Sequence, residues 1–173
     1  MVFWLIILAL SAAAIWWGLN AEKTVVVNPK PMEGPLNNPL SGFAPRADGT
    51  GIVGDNMLVY LDVTWREFEP VKGRYDFASI ERDNHLDEWR VKGKHVVCRF
   101  LCDVPGDERH MDIPDWLYEA TGGDGDWYNN KYGQGYSPNY TNPLMIELHS
   151  KAIKALGERF GRDQFFSFIE LGS

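Results

Sequence analysis

Residues 57–65, Met57-Leu58-Val59-Tyr60-Leu61-Asp62-Val63-Thr64-Trp65, run apolar without a break as far as Asp62. A strand with one wet face would alternate, so this run predicts a strand buried on both faces of a parallel sheet. His95–Leu101 and Phe165–Leu171 repeat the pattern, the latter also reading as buried. Between the first two, Asp76 is placed to cap a single helix anchored by Phe77, Ile80 and Trp89 through Val91, with Gly93 as its stop. Asn142-Pro143 opens the strongest helical pattern: Asn142 caps, Pro143 takes the first position, Leu144, Leu148, Ala152, Ala155 and Leu156 share a face, and Gly161 ends it. A short first strand is expected around Gly42-Phe43-Ala44, and a brief helix over Ile113–Ala120. Strands alternating with helices predict an α/β chain.

Residues 102–141 break this rhythm. Gly122, Gly123, Asp124-Gly125-Asp126, Gly133 and Gly135 are interleaved with Trp127, Tyr128, Tyr132, Tyr136 and Tyr140. A connection of this length is either functional or disordered, and its aromatic density favours function.

Residues 2–19 are nearly all apolar, with Ser11 the lone hydroxyl and no charge before Glu22. The run is just long enough to cross a bilayer, and Ser11-Ala12-Ala13-Ala14 suits a signal peptide equally. Residues 1–21 are therefore expected to be a signal peptide or membrane anchor forming an N-terminal hydrophobic helix, giving an extracytoplasmic, secreted or anchored protein. Residues 22–37, with Pro29, Pro31 and Pro35, predict an extended lead-in.

The net charge of -7, without a basic stripe, argues against nucleic acid as a partner. Cys98 and Cys102 are too few for a disulfide framework and read as apolar fillers. The four histidines lack a zinc-ligand spacing, Asp124-Gly125-Asp126 lacks the Glu that completes a calcium loop, and no Gly-rich phosphate loop follows a strand. No cofactor or metal is expected. Asn139-Tyr140-Thr141 is a glycosylation acceptor by pattern only.

The segment Trp65-x-x-Phe68-Glu69-Pro70-x-x-Gly73-x-Tyr75-Asp76-Phe77 resembles the stretch after an early barrel strand in (β/α)8 glycoside hydrolases of the beta-galactosidase type. Asn38-Pro39-Leu40-Ser41-Gly42-Phe43, Val96–Phe100, Ile113–Leu117, Gly135–Pro138 and Phe168–Ser173 are similar to a bacterial secreted subset carrying a domain of uncharacterised function. The resemblance implies that residues 38–173 are the N-terminal half of a TIM barrel, about its first four β/α units. It also implies a domain that continues beyond Ser173 into the missing C-terminal half, which would hold the nucleophile. An apolar final strand with nothing after it points the same way.

In such barrels the working groups sit at the C-terminal ends of strands and in the loops that come after them. The resemblance places a general acid/base Glu at the end of the fourth strand, which makes Glu170 the catalytic candidate. The family's Asn before that Glu is replaced here by Ile169. Substrate-binding candidates are Asp62, Trp65, Arg66 and Glu67 after the second strand, Arg99 and Asp103 from the third, and the aromatics Trp127, Tyr128 and Tyr136. The aromatic faces suit a pyranose, with loop packing as the alternative. Arg99 reads either as a substrate contact or as half of an ion pair with Asp62 or Glu170. Glu69 reads as structural, shaping the turn at Pro70 by accepting backbone N–H groups or pairing with Arg74. The expected function is a fragment of an exported glycosidase cleaving poly- or oligosaccharides with paired carboxylates, inactive alone. A non-catalytic carbohydrate-binding or cell-surface barrel is the alternative. A short α/β protein completing its sheet by dimerising is the third.

Overall fold

Three parallel strands organise the chain: β1 (Leu58–Thr64), β2 (His95–Leu101) and β5 (Phe166–Gly172), in the spatial order β1-β2-β5. The computed structural model describes residues 26–28, 30, 40, 42–49 and 56–172. The apolar run 2–19 lies outside them, and among the described residues no helix is long and apolar enough to cross a membrane. The chain divides into residues 1–37 and 38–173. Of the first unit, Val26–Asn28 and Lys30 are described, exposed and without regular structure. The second unit carries every helix and strand among the described residues.

Between β1 and β2 lie α1 (Trp65–Phe68), α2 (Phe77–Asp83) and α3 (Leu86–Val91). Between β2 and β5 lie α4 (Asp115–Ala120), a hairpin of β3 (Gly125–Asn130) and β4 (Gly133–Pro138), and α5 (Pro143–Phe160). Val59, Leu61 and Val63 of β1 and Val96, Cys98 and Phe100 of β2 join one core with Ile80, Leu86 and Trp89, and with Met145, Leu148, Ala152, Leu156 and Phe160 of α5. Right-handed crossovers between strands laid down in sequential order put every connecting helix on the same face. The opposite face carries the other parity of residues. In register these are Tyr60, Val97 and Phe168, then Asp62, Arg99 and Glu170, then Thr64, Leu101 and Gly172.

β1 is therefore not buried on both faces. Its helix-side residues are buried, while Tyr60, Asp62 and Thr64 are half-buried. β5 departs further from expectation. Phe168, on the open face, is 48% exposed, and Leu171, on the helix side, is 57% exposed because β5 is the edge of the described sheet and no helix among the described residues covers its outer half. The first strand expected at Gly42-Phe43-Ala44 also shifts. Phe43 is exposed, and among the described residues of this stretch the chain meets β1 at Pro45–Ala47, where Tyr60 N–H donates to Pro45 O and Ala47 N–H to Tyr60 O, both at 2.7 Å. Pro45 has no N–H to give to a ladder but keeps its carbonyl, so pairing begins with that acceptor, just after the expected triplet.

The helix expected over Phe77–Val91 is two helices. Asp76 caps α2 through Ser79 N–H at 3.0 Å, as its position indicates. The break falls at Asn84-His85: the Asn84 side-chain amide donates to Ile80 O at 2.9 Å, and His85 takes a left-handed conformation at φ 53°. An Asn that satisfies the last-turn carbonyl competes with continued helix. α3 then closes in a Schellman arrangement, with Gly93 N–H on Arg90 O and Lys94 N–H on Trp89 O, both at 3.0 Å.

α5 starts as expected. Asn142 Oδ1 accepts from Leu144 N–H at 2.9 Å and Met145 N–H at 3.3 Å. Asn142→Ala is expected to cost about 1 kcal/mol, read from urea unfolding, because two first-turn donors lose their acceptor. An unchanged midpoint would remove Asn142 from the helix start.

Residues 102–141 contain the β3–β4 hairpin, paired from Gly125↔Pro138 to Asn130↔Gly133 around the two-residue turn Lys131-Tyr132. Gly106 and Gln134 exchange backbone hydrogen bonds at 3.0 and 2.8 Å, fastening the hairpin to the loop after β2.

Candidate functional site

The motif after β1 builds a tightly bonded turn. Thr64 and Glu67 close a capping box around α1: Glu67 N–H donates to Thr64 Oγ1 at 3.2 Å, and Glu67 Oε2 accepts from Thr64 N–H at 3.0 Å. Glu69 is 4% exposed. Its Oε2 accepts from Trp65 Nε1 at 2.8 Å and its Oε1 from Gly73 N–H at 2.7 Å. Gly73 adopts φ 75°, a conformation glycine takes without a Cβ penalty. Of the two alternatives read from the sequence, Glu69 takes the first, accepting a backbone N–H at Gly73, and adds the Trp65 indole rather than Arg74. Phe68 stacks on Tyr75 at 4.8 Å and meets Phe77 edge-on at 5.2 Å, so the motif's aromatics belong to the core.

Trp65, expected among the substrate-binding residues, is wholly buried. It packs on Phe100 at 5.8 Å and His149 at 5.4 Å, and so presents no face to a ligand. Tyr136 is likewise wholly buried, between Tyr118 and Trp127, its hydroxyl without a partner among the described residues. Trp127 is 40% exposed, yet Arg109 lies over its ring at 3.9 Å, so one aromatic face is already covered. Arg66 ties down the α4 loop, donating to Met111 O at 2.6 Å and bidentately to Asp115 at 3.1 and 2.8 Å. Tyr128 and Asp103 meet: the phenol donates to Asp103 Oδ1 at 2.6 Å, and burial together with that bond pushes the phenol's pKa well up.

The open face of the sheet brings Asp62, Arg99 and Glu170 together. They are register partners in one layer. Arg99 Nε donates to Asp62 Oδ1 at 2.9 Å, and Arg46 Nη1 donates to Asp62 Oδ2 at 2.9 Å. Asp62 thus answers the ion-pair question for Arg99. Tyr60 OH donates to Glu170 Oε2 at 2.6 Å, and the Arg99 guanidinium lies 5.4 Å from the Tyr60 ring centre. Burial and the Glu170 contact push the Tyr60 phenol up to about 12, against the pull of Arg99. Glu170 sits one layer below the C-terminal end of β5, where Gly172 faces Leu101.

At the C-terminal ends of the strands a cleft of about 760 Å³ opens between α1 and the 109–118 loop, lined by Arg66, Glu67, Arg109, His110, Asp112 and Trp127 among others. Asp112 is buried, accepting from Val104 N–H at 2.8 Å and lying 3.4 Å from His110 Nε2. Burial pushes its carboxyl above the usual range, while the Glu108 carbonyl on Nδ1 and Asp112 on Nε2 raise His110.

No family model matches the chain, and no curated protein matches it. Among solved structures it resembles Exo-beta-1,4-mannosidase Op5Man5 from Opitutaceae bacterium strain TAV5, at 19% identity and a TM-score of 0.48. The match covers 68% of this chain and 18% of that one.

Three further candidates resolve on local grounds. Cys98 and Cys102 are free and buried, and burial raises both thiols to about 12. Asp124, read against a calcium loop, accepts from the side-chain amides of Asn139 at 3.1 Å and Asn142 at 2.7 Å, tying the hairpin to the start of α5. The same contact occupies the Asn139 amide of the glycosylation pattern. Sequence reasoning missed Tyr60, Arg46, Arg109, His110 and Asp112. Tyr60 was findable, since it shares the strand parity of Asp62; the others are loop residues whose positions no periodicity specifies.

Proposed function

We propose that residues 38–172 form the opening β/α units of a carbohydrate-active (β/α)8 barrel of glycosidase type, exported behind residues 2–19, with the remaining strands completing the sheet beyond β5. One observation carries this reading. The parallel strands run in sequential order with their helices packed on one face, and the opposite face presents a layer of Asp62, Arg99 and Glu170 above Tyr60 and Phe168. A doubly wound sheet would reverse its strand order and cover both faces with helices, leaving no such layer. Carboxylate, guanidinium, phenol and exposed aromatic are the groups that recognise sugar hydroxyls and pyranose faces.

Within this reading Glu170 is the acid/base candidate, its Oε2 held by Tyr60 OH. Asp62 is a poor second catalyst because both its oxygens are engaged by arginines. That engagement favours the second reading, a barrel that binds saccharide without cleaving it. Paired-carboxylate hydrolysis requires another carboxylate about 5 Å away for retention or about 6.5–9.5 Å for inversion.

The test is calorimetric titration of the full chain with manno-, xylo-, cello- and galacto-oligosaccharides and with uronate-bearing oligosaccharides, alongside an assay for released reducing ends. Binding is expected, weakened about tenfold or more in Glu170→Ala by the loss of charge-assisted hydrogen bonds. No binding, or an affinity indifferent to Glu170→Ala, would sink the proposal. Reducing ends released by the unmodified chain and abolished in Glu170→Gln would decide for hydrolysis over binding alone.

A further inference from the structure

The cleft above the strand ends holds six acidic or basic side chains, and five of them are already committed. Arg66 is engaged by Asp115 and the Met111 carbonyl. Asp112 is engaged by Val104 N–H and His110, and His110 in turn contacts the Glu108 carbonyl. Glu67 Oε2 takes both Thr64 donors in the capping box. Arg109 is different. Its guanidinium lies over the Trp127 ring at 3.9 Å, and among the described residues no carboxylate or carbonyl accepts from its five N–H groups.

Stacking on an indole fixes the plane of a guanidinium without consuming its in-plane donors. The result is a pre-oriented fork at the rim of a cleft, and its natural complement is a planar carboxylate accepting two parallel hydrogen bonds. The cleft's carboxylates, Glu67, Asp112 and Asp115, are each held by the contacts above, so Arg109 is the cation left to meet an anionic ligand. We infer that the cleft takes a saccharide bearing a carboxylate, a uronic-acid unit, with Arg109 gripping that carboxylate from its seat on Trp127. The inference rests on the carbohydrate reading of this chain and narrows its substrate class.

The experiment pairs each member of a panel of uronate-bearing oligosaccharides with its carboxyl-reduced, neutral counterpart and titrates both into the full chain by calorimetry. The acidic member is expected to bind about tenfold more tightly at low salt, a preference that shrinks as salt screens the pair. Arg109→Gln should erase the preference, so that the acidic member binds no more tightly than its neutral counterpart. Arg109→Lys should restore only part of it, since an ammonium keeps the charge and loses the fork. Circular dichroism of each variant guards against misfolding. Equal affinity for acid and neutral members, or a preference that survives Arg109→Gln, overturns the uronate inference and leaves the carbohydrate reading standing. Failure of both members of every pair, together with failure of the neutral oligosaccharides, overturns both.

Discussion

Trp65→Ala is expected to unfold most of the molecule. The side chain is wholly buried against Phe100, Trp116 and His149, so truncation removes a large packed surface and leaves a cavity, costing about 3–5 kcal/mol. It also withdraws the Nε1 donor from Glu69, a carboxylate only 4% exposed, for about 1–3 kcal/mol more. Together, at about 4–8 kcal/mol, these reach the lower part of the stability range of an ordinary domain, about 5–15 kcal/mol. Trp65→Phe separates the two terms: it keeps most of the ring packing and loses the hydrogen bond, with an expected cost of about 1–3 kcal/mol. Urea unfolding followed by circular dichroism reads both. A stable, cooperatively folded Trp65→Ala variant that had lost only saccharide binding would return Trp65 to the role of sugar platform.

Gly133→Val is expected to cost about 2–4 kcal/mol, combining a strained backbone with overpacking. Gly133 has φ 137°, where a branched side chain is strained, and a Cβ there would sit 2.7 Å from Gly106 O and 3.0 Å from Gly106 N. Those atoms cannot yield easily, because Gly106 is held to Gln134 by two backbone hydrogen bonds. The damage should therefore appear as release of the β3–β4 hairpin from the loop after β2. Hydrogen exchange at the Gly106 and Gln134 amides is expected to accelerate along with the fall in the unfolding midpoint. Unchanged protection at both amides would mean that the hairpin is held in place by something other than this contact.

Trp65 and the β3–β4 hairpin both diverge from their sequence reading, and in each case the divergence has a physical source. Aromatic residues near a strand end read alike whether they face a ligand or a core. Trp65 went inward because it continues the parity of Val59, Leu61 and Val63, the face of β1 that packs under the helices. Trp127 stayed at the surface and acquired Arg109, a partner eighteen positions earlier that no local pattern connects to it. The hairpin was hidden because its strands are short and Gly-rich, with a turn, Lys131-Tyr132, that lacks the usual Asn-Gly or Gly-first signature.

From the sequence alone, the elements that are long, apolar and punctuated could be placed: β1 and β2 within a residue, α5 with its Asn142 cap, the stop at Gly93, and the α/β class. Those features are local, set by side-chain periodicity and backbone capping that act within a few residues. Strand order, the exposure of β5, the split between α2 and α3, and the grouping of Arg46, Asp62, Arg99, Tyr60 and Glu170 were decided only by the tertiary structure. Register between strands far apart in the chain determines which charges meet across a sheet face, and no single strand's sequence contains that information.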